Sequence, residues 1–230
     1  MNDSFDGTIE RSLRDTALAM GASHFGIADV RRAHAVWPDS FEESGLLPTG
    51  ISIGVLEDDD LLDGLPQTDD PCRTSHYSVK IVLALAIADR IRDRLVQAGH
   101  LAHRLSHPPA KKPTGLYKLV ARLSGLGWIG KNRLLITPDR GPRVALATVL
   151  TDAPLRPTAA KPMGDGCGEC TRCIRICPVE AFTNDAFGET DSLKGFDAGR
   201  CAVYRGVINP TGWGVCGLCV QICPFGRKPS

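Results

Sequence analysis

The chain has 230 residues, 43% hydrophobic and 23% charged, with 27 Lys and Arg against 26 Asp and Glu for a formal net charge of +1. This is the composition of an ordinary globular protein with length for one or two domains, and a near-neutral total gives no general attraction to nucleic acid or to an anionic membrane surface. No apolar run approaches the ~20 residues of a membrane span, and no secretory signal opens the sequence, so a cytoplasmic setting away from membranes is expected.

Residues Ile9–Met20 (IERSLRDTALAM) carry apolar positions at helical spacing and stop at Gly21. His24–Val30 (HFGIADV) reads as a short strand, 31–47 as polar and irregular, and Ile51–Leu56 (ISIGVL) as a second strand. An acidic stretch with turn residues follows from Glu57; the run Glu57–Asp60 has the donors of a metal site, but an acidic run on a loop is expected to be solvated. Tyr77–Ala98 is the longest helical pattern, and its first half, apolar nearly all round, is expected to be buried. HPPAKKP at 107–113 breaks the chain, and Leu116–Leu123 forms a short helix. Arg133–Thr137 and Val144–Thr151, joined by PDRGP, read as an antiparallel hairpin. Three prolines in Ala153–Pro162 mark a linker, which puts one α/β domain at 1–160 and a second, small domain at 161–230.

Residues 125–132 read GLGWIGKN. The string satisfies G-x-G-x-x-G and nearly satisfies the phosphate-loop pattern, with Asn132 where a hydroxyl residue would bind magnesium. Both nucleotide motifs need a strand before and a helix after, so that phosphate meets a helix N-terminus. Here a helix precedes and a strand follows, which argues against a nucleotide. Two uses remain open for so many glycines beside Trp128: close backbone approach to a flat, bulky partner, or a tight turn with no ligand.

Eight of the nine cysteines lie in the last third of the chain. CGECTRCIRICP carries Cys167, Cys170, Cys173 and Cys177; CGLCVQICPF carries Cys216, Cys219 and Cys223; Cys201 stands between them. C-x2-C-x2-C-x3-C-P is the bacterial ferredoxin run, in which the fourth cysteine ligates the other 4Fe–4S cluster. Eight thiolates suffice for two cubes. Cys167, Cys170, Cys173 and Cys223 are assigned to one, and Cys177, Cys201, Cys216 and Cys219 to the other, with Cys201 replacing the first cysteine that the second run lacks. Paired zinc knuckles do not read as four cysteines in one run before a proline, and disulfides suit small secreted chains. The isolated Cys72 reads as a small buried hydrophobe. The segment is therefore expected to pass single electrons at low potential, and metal–thiolate bonds are expected to supply much of its stability.

GLGWIGKN, then LLITPDRGPRVALATVLTDAPL, CGECTRCIRICPVEAF, FDAGRCAVY and CGLCVQICPFG, in this order and after an opening AMGASHFGIADV, resemble the epoxyqueuosine reductases, relatives of the corrinoid reductive dehalogenases. The resemblance spans roughly residues 9–226. It implies an α/β (α+β) nitroreductase-like cobalamin-binding domain followed by a small bacterial-type double 4Fe–4S ferredoxin domain. It also implies base-off cobalamin with no side chain on cobalt, and one cluster feeding electrons to the corrin. By carry-over, Gly127, Trp128, Gly130, Lys131 and Asn132 line the corrin pocket, supported by Leu134 and Leu135.

Two departures accompany the resemblance. The family's Arg-Asp-Tyr-His stretch at the start of the long helix, whose Asp is the proposed proton donor, has no counterpart when counted back from Gly99, where LAIA stands at 85–88. A C–O bond broken reductively leaves an oxyanion to protonate, so a donor is needed. The family's C-terminal helical-repeat segment, which helps hold tRNA, does not follow Ser230. The expectation is then a reductase passing electrons through two clusters and a corrinoid to a small, non-tRNA substrate, with tRNA not expected as a partner and a ferredoxin- or flavodoxin-type electron donor. The alternative is an electron-transfer protein that reduces a partner corrinoid or flavin protein. Tyr77 and Tyr117 are the first choices for a replacement donor, because a phenol can give a proton and still pack against a corrin; His76, His107, His100 and His103 are weaker choices.

Overall fold

The computed structural model describes residues 7–36, 41, 45–64, 71–105, 115–188, 195–208 and 216–226; the side chains of 35 and 71–78 lie outside the described set. The described elements are helices α1 (Thr8–Ala19), α2 (Arg31–Val36), α3 (Asp59–Gly64), α4 (Pro71–Gln97), α5 (Leu116–Leu123), α6 (Arg172–Ile176), α7 (Ala198–Ile208) and α8 (Leu218–Gln221). The strands are β1 (His24–Asp29), β2 (Thr49–Leu56), β3 (Ala102–Arg104), β4 (Trp128–Ile129), β5 (Leu135–Ile136) and β6 (Val144–Thr151). The result is a mixed α/β fold, as expected. The chain forms two compact units: unit 1 takes Met1–Val55, Leu83–Leu126 and Leu146–Pro162, and unit 2 takes Leu56–Val82, Gly127–Ala145 and Met163–Ser230. Unit 2 thus holds the whole cysteine-rich segment together with two stretches that the sequence reading put in the N-terminal domain.

Unit 1 is built on a four-stranded sheet of order β1-β2-β6-β3. β1 runs antiparallel to β2 with Ile27 opposite Ile51, and β3 runs antiparallel to β6 with Arg104 opposite Val149. The inner strands β2 and β6 are buried along nearly their whole length, and in β2 the apolar Ile51, Ile53 and Val55 alternate with the small Gly50, Ser52 and Gly54. Leu13 and Ala17 from α1, Ile27, Ile51 and Ile53 from the sheet, and Ala84, Ile87, Ala88, Ile91 and Leu95 from α4 form one apolar cluster. Each fully buried Leu or Ile there contributes roughly 2 kcal/mol relative to exposure.

Four local expectations are revised. The helix read from Tyr77 begins at Pro71, and its first half is not uniformly buried: Val79 and Val82 are 57% and 63% exposed, while Ala84, Ile87, Ala88, Ile91 and Leu95 form the buried stripe. The acidic stretch contains a helical turn, α3, because Asp58 caps it by accepting the Leu61 N–H at 3.1 Å. The proline-rich stretch 153–162 is docked: Ala153 and Leu155 join the core, and the Thr158 hydroxyl bonds Ser124 O at 2.7 Å. The hairpin expected from PDRGP does not form: β5 pairs with β4 in a separate two-stranded sheet, Leu135 opposite Ile129, while β6 enters the large sheet. The turn closes on itself instead, through the Thr137–Gly141 bridge.

Candidate functional site

Two apolar clusters are described in unit 2: Trp128, Ile136 and Cys223 pack with Cys167 and Phe225, and Leu62 and Val220 pack with Leu134 and Cys219. Cysteines are part of both. The eight expected ligands are free thiols, Cys173 and Cys223 buried and the others half-buried. Burial pushes the Cys173 thiol up, and the thiols acting on it are Cys167 and Cys170. Burial pushes Cys223 up to about 11, against the Phe225 N–H, with Cys167, Cys173 and Cys170 as its thiol neighbours. Cys201 is raised by burial, opposed by the Arg205 cation, beside Cys177 and Cys216. Cys216 is raised by burial, opposed by the Leu218 N–H, beside Cys177. Cys219 is pushed up to about 12 by burial, then by Cys216, Cys201, Cys173 and Cys177. Cys173 and Cys223 thus feel Cys167 and Cys170, Cys201 and Cys216 feel Cys177, and Cys219 feels members of both groups. Among the described residues no three His, Cys, Asp or Glu are arranged to hold a single metal ion. A cubane asks for a different arrangement, since four cysteines spread around one cluster rather than converging on one ion.

The glycine loop is β4, a tight turn and β5. The Gly130 N–H donates to Leu134 O at 2.9 Å and the Arg133 N–H to Gly130 O at 2.9 Å. Arg133 takes a left-handed φ of 57°, and its guanidinium donates twice, at 3.0 Å each, to Asp185 O. No helix follows the loop, so neither nucleotide motif has its structural context. A Cβ at Gly127 would lie 2.1 Å from Ile136 O, so the glycine is required by the chain's own β4–β5 pairing. The buried Lys131 ammonium donates to Gly168 O at 2.7 Å, and the buried Asn132 amide donates to Cys219 O at 3.3 Å and accepts the Leu134 N–H at 3.2 Å. The Trp128 indole N–H donates to Cys167 Sγ at 3.5 Å. The residues carried over as pocket lining thus reach the backbone and sulfur of both cysteine runs.

Sequence reasoning missed one group. Glu57 was assigned to a solvated acidic run, yet it is 4% exposed and neither carboxyl oxygen has a hydrogen-bond partner among the described residues. Burial pushes its pKa from an ordinary 4.5 up to about 8, opposed by the Lys80 cation and reinforced by Asp58, so the carboxyl is largely protonated at neutral pH. The available signal is its place directly after β2, a strand buried along nearly its whole length. Two further acids of this stretch are paired: Asp59 with Arg140 at 2.9 Å and with Arg143 at 3.1 Å, and Asp63 with Arg143 at 2.6 Å.

The proposed donors are not brought together by what is described. Tyr117 lies on α5 in unit 1, half-buried, with Lys118 Nζ 5.4 Å from its ring centroid. Tyr77, His76 and Cys72 are on the first turns of α4, but their side chains lie outside the described residues, as does His107 altogether. Because α4 begins at Pro71, Ala86 and Ile87 are mid-helix, one exposed and the other in the unit 1 core. Counting back from Gly99 therefore does not reach the helix start.

No family model matches the chain. An epoxyqueuosine reductase of Gloeobacter violaceus is 37% identical over 124 residues, covering 48% of this chain and 36% of the relative. One from Bacillus cereus is 34% identical over 151 residues, covering 60% and 38%. The chain spans under two-fifths of the length of these curated relatives. Among solved structures, the epoxyqueuosine reductase of Streptococcus thermophilus aligns with TM-score 0.63 at 21% identity over 96% of this chain and 67% of that one. A reductive dehalogenase whose structure suggests a B12-dependent mechanism aligns with TM-score 0.76 at 20% identity over 99% and 34%. An epoxyqueuosine reductase bound to an epoxyqueuosine-modified tRNA-Tyr stem loop aligns with TM-score 0.60 at 19% identity over 94% and 64%.

These relatives correct the expectation that tRNA is not a partner. The missing donor behind it was placed by a residue count that lands mid-helix, and a net charge summed over a whole chain says nothing about one face. Among the described residues no helix is long and apolar enough to cross a membrane. Both groups of relatives are oxidoreductases, and the chain is similar in sequence to epoxyqueuosine reductases and in fold to these and to reductive dehalogenases, as its motifs led us to expect.

Proposed function

We propose that this chain is the electron-delivering core of an iron–sulfur, cobalamin-dependent reductase, and that its substrate is of the epoxyqueuosine-tRNA class named for its relatives. The observation that carries the reading is the gathering of eight cysteines, from the two runs and Cys201, into the unit that also holds the glycine loop. The donor chemistry fits: thiolate sulfur suits iron, and cluster assembly at buried thiols such as Cys219 and Cys223 would drive off their protons. Cys167, Cys170, Cys173 and Cys223 would hold one 4Fe–4S cluster, and Cys177, Cys201, Cys216 and Cys219 the other, in a double-cluster ferredoxin arrangement. Lys131 and Asn132, bonded to Gly168 O and Cys219 O, would fix the glycine loop against both cysteine runs.

Cobalamin is supported by the resemblance and by the relative described as B12-dependent; bound, it would supply a strongly reducing cobalt centre to the substrate. Gly127, Trp128, Gly130, Lys131 and Asn132 are the residues proposed to face it, with Tyr77 or Tyr117 as proton donor to the oxygen released on C–O cleavage. Anaerobically purified protein is expected to contain eight irons, and Cys201→Ser is expected to lose one of two paramagnetic clusters while keeping the other. With reductant and cobalamin it should convert epoxyqueuosine in tRNA to queuosine, read by nucleoside mass spectrometry. Eight irons without turnover would remove the substrate assignment; fewer than eight, or a Cys201→Ser variant with unchanged spectra, would remove the cluster assignment.

A further inference from the structure

The Trp128 indole is held more firmly, and nearer to a proposed cluster ligand, than a pocket-lining role requires. It is 6% exposed. Its ring meets Phe225 edge-on, with centroids 4.8 Å apart and planes at 83°. Its other neighbour is Gly166, where a Cβ would come within 2.6 Å of the ring. Phe225 follows Cys223 by two residues and Gly166 precedes Cys167 by one, so both cysteine runs that contribute to one four-thiol set grip the same indole. Held this way, Nε1 stands 3.5 Å from Cys167 Sγ.

An indole N–H can only donate. With a thiolate sulfur as acceptor, the bond gains strength as the sulfur gains negative charge, and burial keeps water from competing for it. One-electron reduction of a cluster adds that charge. The donor therefore favours the reduced state, which is one of the levers by which a protein tunes such clusters. In the other set, among the described residues, Cys177 Sγ accepts a backbone N–H, that of Ala181 at 3.3 Å, and the nearby positive charge is that of Arg205. The Asp165 carboxylate, which accepts the Cys167 N–H at 2.9 Å, works in the opposite direction on the first set.

Building on the two-cluster reading, we infer that Trp128 is a potential-setting residue: its N–H bond to Cys167 raises the reduction potential of the cluster held by Cys167, Cys170, Cys173 and Cys223. The consequence is functional, because the same loop residue that faces a proposed cofactor then also sets how readily the adjacent cluster accepts an electron. A movement of the loop that lengthens the N–H···S contact lowers that potential and makes the cluster a stronger donor.

The test is an anaerobic redox titration of holoprotein, followed by electron paramagnetic resonance, for wild type and Trp128→Phe. Phe keeps an aromatic ring against Phe225 and removes the donor together with the indole atoms that face Gly166. At a fixed poised potential near the midpoint, the reduced-to-oxidised ratio of one cluster should fall about tenfold, a shift of about 59 mV for a one-electron couple, while the other cluster stays put. A second readout needs no variant: in wild type labelled with 15N-tryptophan and exchanged into D2O, the reduced cluster should show coupling to an exchangeable deuteron and to indole nitrogen. Eight irons with both couples unmoved in Trp128→Phe, or no such coupling in wild type, overturns the inference and leaves the two-cluster reading standing. A wild-type protein that assembles no clusters overturns both.

Discussion

Glu57→Gln isolates the buried carboxyl of unit 2 and has a calculable signature. Raising a carboxyl from 4.5 to about 8, at about 1.4 kcal/mol per tenfold change in proton affinity, amounts to roughly 4–5 kcal/mol once both folded and unfolded forms are ionised. The sign follows from proton counts. Between these values the folded protein holds a proton that the unfolded chain has released, so the contribution is fully present below pH 4.5 and is lost as pH rises through 8. Glutamine cannot ionise, and it fills nearly the same volume. The stability of Glu57→Gln relative to wild type should therefore improve by roughly 3–4 kcal/mol between pH 5 and pH 9, read as the difference between their resistance to urea under argon. Infrared spectroscopy gives the site directly: a protonated carboxyl band in wild type that half-disappears near pH 8 and is absent from the variant. Removing the opposing cation with Lys80→Met should move that midpoint higher still. A band already gone at pH 6, or a wild-type-to-variant difference that does not change with pH, refutes the argument.

Two further substitutions probe how unit 2 is held together. Asp59→Asn removes the carboxylate shared by Arg140 and the 2%-exposed Arg143; leaving a buried guanidinium short of charge should cost about 3 kcal/mol, visible as a lowered denaturation midpoint with cluster content retained at low temperature. Gly127→Ala places a methyl 2.1 Å from Ile136 O, a backbone atom that cannot step aside, and should cost about 2–3 kcal/mol and speed cluster loss on warming; a variant as stable as wild type would mean the β4–β5 pairing is not as tight as described.

Much of this was legible in the chain because its signals are local. Leu116–Leu123 matches α5 residue for residue. Strands β2 and β6 announce themselves by their β-rich composition. What was not legible depends on partners distant in sequence. PDRGP has every feature of a hairpin turn, but β6 gains more by pairing inside the large sheet than beside β5. Glu57 looked like the first of four solvated acids; only the continuation of β2 into the interior separates it from Asp58, which caps a helix in solvent. The assignment of 56–82 and 127–145 to the cysteine-bearing unit is likewise a property of folded contacts, not of composition.

The glycine loop joins these observations. Read as a string, GLGWIGKN invites a ligand, and its glycines invite the idea of empty space. In the fold that space is filled by the chain itself: Ile136 occupies what Gly127 and Gly130 leave open. Directed outward from the loop, and onto the cysteine runs, are the Trp128 indole, the Lys131 ammonium and the Asn132 amide, reaching Cys167 Sγ, Gly168 O and Cys219 O, while Arg133 reaches Asp185 O. In both described apolar clusters of this unit cysteines are themselves packing residues. Donors from a tight, glycine-dependent hairpin provide fixed points on both runs. The residues that a family resemblance assigns to a cofactor therefore have a prior task, which is to set the geometry and the electrostatics of the sulfur atoms, and any loss of activity on mutating them has to be separated from loss of the clusters before it is assigned to cofactor binding.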